Sequence, residues 1–159
     1  MSTEENAGGT YFFPLRVPYA HVDKMGFVYY SNYLVYFEMA RAALLREADI
    51  PYAQLEERGI MLPVVESHCR YSKPAGYDDL LVVVSRCSMV RNTRLHVEYE
   101  IRRLGRGVDG GNTDFDEEDV RDAELICTGY TDHVCMTAEG SVTRMVDELK
   151  LFLKEKKDE

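Results

Sequence analysis

Asn32-Tyr-Leu-Val-Tyr-Phe-Glu-Met-Ala-Arg-Ala-Ala-Leu-Leu-Arg-Glu-Ala-Asp49 decides the fold. Tyr33, Phe37, Ala40, Leu44 and Ala48 recur at steps of four, three, four and four, the period of one helical face. Ser31 or Asn32 can cap the start, and Pro51 stops the run. Leu34, Val35, Tyr36 and Leu45 fall off that face. A surface helix needs one apolar stripe; a helix apolar on more than one side is expected at the centre of a fold, largely enclosed.

The flanks say what encloses it. Upstream, Tyr11 to Pro18 is an aromatic and β-branched run in which Pro14 and Pro18 predict an edge or short strand. Downstream, Pro51 to Arg58 reads as a short helix ended by Gly59. The pattern then changes to strands over Ile60 to Tyr71, Asp79 to Val90, Thr93 to Leu104 and Glu124 to Met136, rich in Val, Ile, Leu, Tyr and Thr. Turn residues separate them: Lys73-Pro-Ala-Gly76, then Arg91-Asn92, then an acidic stretch. After the turn Ala138-Glu-Gly140, a short strand from Ser141 to Met145 and a helix from Asp147 to Lys157 are expected, the helix from Leu149, Phe152 and Leu153. One helix followed by long antiparallel strands makes an α+β domain with the sheet wrapped around the helix. Residues 1–9, polar and glycine-rich, read as a disordered arm, and residues 10–159 as one domain with an acidic insertion at about 105–123.

Composition narrows the function classes. At 159 residues, 45% hydrophobic and 30% charged, the chain can bury a real core. Its longest apolar runs fall far short of the roughly 20 residues of a membrane span, and its N-terminus has no basic-then-apolar leader, so the expectation is a cytoplasmic protein. Cys69, Cys87, Cys127 and Cys135 have no C-x-x-C spacing and read as small apolar strand residues, with neither metal nor disulfide framework expected. The net charge is −9, of which Gly105 to Glu124 carries −6, with eight acids against two bases. No basic face suits a phosphate backbone, so nucleic acid is not an expected partner.

The chemistry centres on Tyr19-Ala-His-Val-Asp-Lys-Met-Gly-Phe-Val-Tyr-Tyr-Ser-Asn-Tyr33. Asp23 stands seven residues before Tyr30, at the mouth of the apolar helix, with Gly26 between them. First-turn backbone N–H groups have no intrahelical partner and attract negative charge. An acyl carbonyl placed there would be polarised, and Asp23 could attack its carbon or deprotonate a water. The local pattern equally allows Asp23 to cap a turn or to pair with Lys24.

Tyr19, Asp23, Gly26, Val28, Asn32 and Tyr33, followed by Phe37, Glu38, Ala40 and Arg41, resemble the pattern of the 4-hydroxybenzoyl-CoA thioesterase family of hotdog-fold enzymes. Arg70-Tyr-Ser-Lys-Pro-Ala-Gly-Tyr-Asp-Asp-Leu-Leu81 and Thr131-Asp-His-Val-Cys135 extend the resemblance from about Tyr11 to Leu153, the acidic insertion apart. It implies a hotdog fold, a homodimer or dimer of dimers, and hydrolysis of an acyl-CoA without a cofactor. Asp23 would be the catalytic carboxylate, nucleophile or general base, and the Tyr30 backbone N–H would polarise the thioester carbonyl. Gly26, Asn32 and Tyr33 would shape the substrate site. Arg91 falls where some members bind coenzyme A phosphates, with Arg94 close by, although Asn92 and Thr93 replace basic residues there. His21 and Val22 also replace the acid and hydroxyl residue that usually precede the carboxylate.

Two other functions fit the same stretch. A hotdog dehydratase acting on a 3-hydroxyacyl thioester would need a His beside a carboxylate, and in an extended loop His21 and Asp23 would point the same way. A non-catalytic acyl-CoA binder would keep only the pocket. His68, His96 and His133 have no metal-site spacing and read as structural or surface residues. Glu38 and Arg41, three apart on the helix, are expected to form an ion pair. The acidic stretch is expected to be a solvated hairpin insertion, its carboxylates lacking the order of a calcium loop.

Overall fold

The computed structural model describes residues 9–107 and 114–154. The arm read over residues 1–9 lies, Gly9 apart, outside them. Seven strands and four helices follow in the order β1 (Thr10–Arg16), α1 (Asn32–Glu47), α2 (Tyr52–Glu57), β2 (Ile60–Met61), β3 (Val64–Tyr71), β4 (Leu80–Val90), β5 (Arg94–Gly105), α3 (Glu117–Asp122), β6 (Glu124–Val134), β7 (Met136–Thr137) and α4 (Asp147–Lys154). Five strands form one antiparallel sheet in the order β1-β4-β5-β6-β3, with β1 at an edge, as Pro14 predicts.

The helix α1 lies across this whole sheet. It packs on β1 and β4. Phe37 stacks flat on Tyr99 of β5, ring centroids 4.3 Å apart, and Tyr33 meets Tyr71 of β3 at 5.3 Å. On β6 the helix comes so close that only glycine fits: a Cβ on Gly129 would lie 2.6 Å from Phe37 Cε2 and collide with the His68 carbonyl oxygen. A sheet wrapped over one central helix is the hotdog fold. Tyr36 and Leu45, off the main apolar face, are buried as expected, but Leu34, Val35 and Met39 remain about two-fifths exposed. One chain therefore encloses only part of the helix.

Several local expectations are corrected. The strand read from Ile60 to Tyr71 breaks at Leu62-Pro63, because proline has no N–H for a ladder. Residues 60–61 leave to pair with β7 in a separate two-stranded sheet, so the run read from Glu124 to Met136 is also divided, at Cys135. Ser141 to Met145 makes one bridge, Val142 to Met136, instead of a strand, since Met145 N–H turns away to the Asn92 carbonyl. The described part of the acidic stretch is no hairpin. Asp116 and Asp119 form a reciprocal capping box that starts α3, three acids occupy its first turn, where the dipole favours them, and Val120 is buried. Ser31 makes no side-chain cap on α1. The expected Glu38–Arg41 pair is absent among the described ion pairs, because Arg41 points into the core.

There Arg41 anchors a buried network without a carboxylate. Its Nε donates to Tyr52 Oη at 2.7 Å and its Nη1 to Tyr99 Oη at 3.1 Å. Tyr99 Oη and Thr131 Oγ1 are 2.8 Å apart, as are Thr131 Oγ1 and His133 Nε2. His133 Nδ1 donates to the Leu62 carbonyl, also at 2.8 Å, and this sets the direction of the chain. A carbonyl only accepts, so Nε2 of the neutral ring accepts from Thr131, whose oxygen in turn accepts from Tyr99. Burial pushes the His133 imidazole down to about 4. Its folded value lies below that of the unfolded chain, about 6.5, so the unfolded state takes up the proton first. Stability is therefore expected to be intact above pH 6.5 and to fall as pH drops from about 6.5 to 4, by at most about 3 kcal/mol from this group. Urea unfolding at pH 7.5 and 4.5 checks this; a His133→Gln variant should show a smaller difference between the two.

Candidate active site

The loop before α1 is built by its own carboxylate. Asp23 Oδ1 accepts the Met25 N–H at 2.9 Å and the Phe27 N–H at 3.3 Å, while Gly26 N–H donates to the Asp23 carbonyl. Gly26 takes φ +79°, the left-handed conformation such a turn needs. The ends of the loop are joined by a Val22–Val28 bridge, and Asn32 Nδ2 and the Tyr29 N–H both hold the His21 carbonyl. The turn-capping role open from the sequence is therefore present, and it uses one of the two carboxylate oxygens.

Asp23 lines a cavity of about 420 Å3 together with Met25, Phe27, Tyr29, Tyr30, Tyr33 and Tyr71, closed on one side by Ser72, Lys73 and Pro74. Tyr30 enters it from the mouth of α1. The residue is 60% exposed, its carbonyl accepts the Tyr33 N–H, and its own N–H finds no protein acceptor among the described residues. A carboxylate and aromatic walls thus share one space, and Tyr30, whose N–H is unpaired, lines it just before the N-terminus of α1.

The far wall is positioned by residues distant in sequence. The Val28 N–H donates to the Ala75 carbonyl, and Phe27 bridges Gly76, so the 72–79 turn carries the Asp23 loop. The turn itself is held by buried Asp79, which accepts from the N–H groups of Gly76 and Gly107, and by buried Arg103, which donates to Asp79 Oδ2 at 3.0 Å and to the Pro74 carbonyl at 2.9 Å. Residues 73–76 read as a turn from sequence, and nothing in local spacing marks Tyr71, Lys73, Asp79 or Arg103 as site residues. The Arg70-to-Leu81 resemblance was the available signal.

The structure brings Asp23, Tyr30 and Tyr33 together at the cavity; Gly26 and Asn32 shape the loop from outside its lining. Arg91 and Arg94 stand at the β4–β5 hairpin, at the other end of the sheet. Val134, paired with Arg94, lies seven positions along β6 from Cys127, paired with Tyr71. At about 3.3 Å per residue that is roughly 23 Å. His21 does not join Asp23: Tyr19–His21 form a 3-10 turn, not an extended loop, and His21 Nδ1 lies 2.8 Å from Tyr36 Oη. The cysteines are all free thiols. No described helix is long and apolar enough to cross a membrane.

Known proteins share both the sequence pattern and the fold. The chain is 41% identical over 69 residues to the putative acyl-CoA thioesterase YneP of Bacillus subtilis, covering 43% of this chain and 50% of YneP. It is 35% identical over 92 residues to the acyl-CoA thioesterase YbgC of Haemophilus influenzae, covering 57% of this chain and 68% of YbgC. The matched part of the chain thus spans about half the length of the first of these relatives and two thirds of the second. A crystal structure of hypothetical protein TT1821 from Thermus thermophilus superposes with a TM-score of 0.74 at 28% identity, over 91% of this chain and 97% of that one. The family model of the Thioesterase-like superfamily matches residues 17–153, from the end of β1 into α4, and the chain belongs to that superfamily.

Proposed function

We propose that the chain hydrolyses an acyl-CoA thioester to a free carboxylic acid and coenzyme A, within the 4-hydroxybenzoyl-CoA thioesterase branch that its loop residues resemble. The observation that supports this reading is that Asp23 and Tyr30, whose backbone N–H is unpaired, line one aromatic-walled cavity. The thioester oxygen takes the Tyr30 N–H, and the carbonyl carbon faces Asp23. Acting as base, Asp23 removes a proton from water as the water oxygen attacks; the C–S bond then breaks, and the thiolate leaves and gains the proton. Acting as nucleophile, it attacks the carbonyl carbon, the C–S bond breaks, and coenzyme A leaves as thiolate and is protonated. Water then opens the resulting mixed anhydride to the free acid and the restored carboxylate. Either route consumes only water, so no cofactor is needed, and the reaction belongs in the cytoplasm, where acyl-CoA is made and used. The rings of Phe27, Tyr29, Tyr33 and Tyr71 suit an apolar or aromatic acyl group.

A homodimer, alone or paired into a tetramer, is part of this proposal. Edge strand β3 exposes Val64 and Val65, and α1 leaves Leu34, Val35 and Met39 uncovered, surfaces a second copy would bury. Arg91 and Arg94 would then serve the phosphates of a ligand held in a neighbouring copy. Sedimentation should find no monomer at micromolar concentration; a stable, active monomer would reject the assembly.

The test of function is thiol release from a panel of acyl-CoAs, with dehydration of a 3-hydroxyacyl-CoA followed in parallel. Thiol release with at least one acyl group is expected. Dehydration without hydrolysis would favour the dehydratase, and binding without either reaction the non-catalytic binder.

A further inference from the structure

A chain of net charge −9 that takes a highly anionic ligand needs a local excess of positive charge where that ligand enters. The structure gathers one beside the cavity. Lys73 lines it and is 59% exposed, with its Nζ 2.9 Å from Glu124 Oε1. The other oxygen, Glu124 Oε2, is shared by Arg103 and by Arg106, whose Nη2 lies 3.4 Å away and which is 74% exposed. Arg103 is also paired with Asp79. Three cations thus face two carboxylates, and the two most exposed cations look into solvent. The acidic helix α3 ends two residues before Glu124 and is held by Arg102, which donates to the Arg121 and Ala123 carbonyls.

We propose that Lys73, backed by Arg106, is the contact within this chain for the phosphate groups of a coenzyme A ligand entering the cavity. The proposal rests on the acyl-CoA reading above. The Lys73–Glu124 pair is solvent-exposed, and such pairs are weak, so a phosphate can take Lys73 from Glu124 at little cost. Glu124 does not lose its compensation in the exchange, because Arg103 and Arg106 stay on its other oxygen. The two arginines expected from the sequence, Arg91 and Arg94, are roughly 23 Å away along β6 in the same chain.

The experiment compares wild type with Lys73→Ala and Lys73→Arg on two substrates carrying the same acyl group, one on coenzyme A and one on N-acetylcysteamine, which has no phosphate. Calorimetry of coenzyme A and of pantetheine binding runs beside it. Lys73→Ala should raise KM for the acyl-CoA about tenfold, as for loss of one contact to a charged group, with kcat held. It should weaken coenzyme A binding by a similar factor and change the N-acetylcysteamine thioester and pantetheine far less. Lys73→Arg should restore most of the loss, and KM for acyl-CoA should climb less steeply with salt in Lys73→Ala than in wild type. Equal effects on both substrates, or none on either, would overturn the phosphate contact while leaving the thioesterase reading intact. Lys73-dependent coenzyme A binding without any hydrolysis would do the reverse. A wild type that does not bind coenzyme A would end both.

Discussion

Replacing Asp23 by Asn is expected to lower turnover by a factor on the order of 100 or more, with fold and ligand affinity kept. The amide has the shape of the carboxylate, and its oxygen can still accept the Met25 and Phe27 N–H groups that build the turn. What it loses is the negative charge on the second oxygen, and an amide neither takes a proton from water nor attacks a thioester well. Tyr30→Phe should change kcat little by comparison, because the proposed donor is the backbone N–H and survives the substitution. Steady-state kinetics on both variants with the best acyl-CoA of the panel, alongside circular dichroism and thermal unfolding, make the measurement. Near-normal turnover in Asp23→Asn would remove Asp23 from the mechanism. A large loss in Tyr30→Phe would move the polarising role to the hydroxyl.

The second large effect belongs to Arg103. Its side chain and that of Asp79 are 6% and 7% exposed, whereas Glu124 on the other side of the guanidinium is 27% exposed. Arg103→Ala would leave Asp79 a buried, unpaired carboxylate, and removal of one partner of a buried pair costs about 3–5 kcal/mol. The Glu124 half adds less, since water and Lys73 remain to it. Arg103 also holds the Pro74 carbonyl, and the 72–79 turn holds the Asp23 loop through Ala75 and Gly76. The folded fraction of the variant should therefore show a raised KM as well as lower stability in urea. Arg103→Lys should recover part of the stability, because the charge returns without the fork that reaches Asp79, Pro74 and Glu124 together. A loss below about 1 kcal/mol would mean that the pair is screened like a surface salt bridge.

The sequence by itself determined the central helix, the long strands and the loop. The spacing of Tyr33, Phe37, Ala40 and Leu44 specifies α1 to within two residues, and the apolar and β-branched runs between turn residues specify the strands Leu80–Val90 and Arg94–Gly105 to within one residue at each end. Asp23 and Gly26 mark the turn, because the φ of Gly26 and the short reach of an Asp side chain are properties of a few adjacent residues. Local chemistry of this kind is written in neighbours.

Tertiary structure alone decided what meets what. Arg41 could have reached Glu38 one turn away, yet it bonds Tyr52 and Tyr99, 11 and 58 residues on, because the helix face that carries it is turned to the sheet. Strand register sets Tyr71 opposite Cys127 and so puts Lys73 at the cavity wall, and the same register carries Arg94 to the other end of the sheet beside Val134. A run of β-branched residues records that a strand forms but not where it pairs. That choice is made when distant segments bury a common face, and it settles which charges stand beside Asp23 and which stand a sheet's length away.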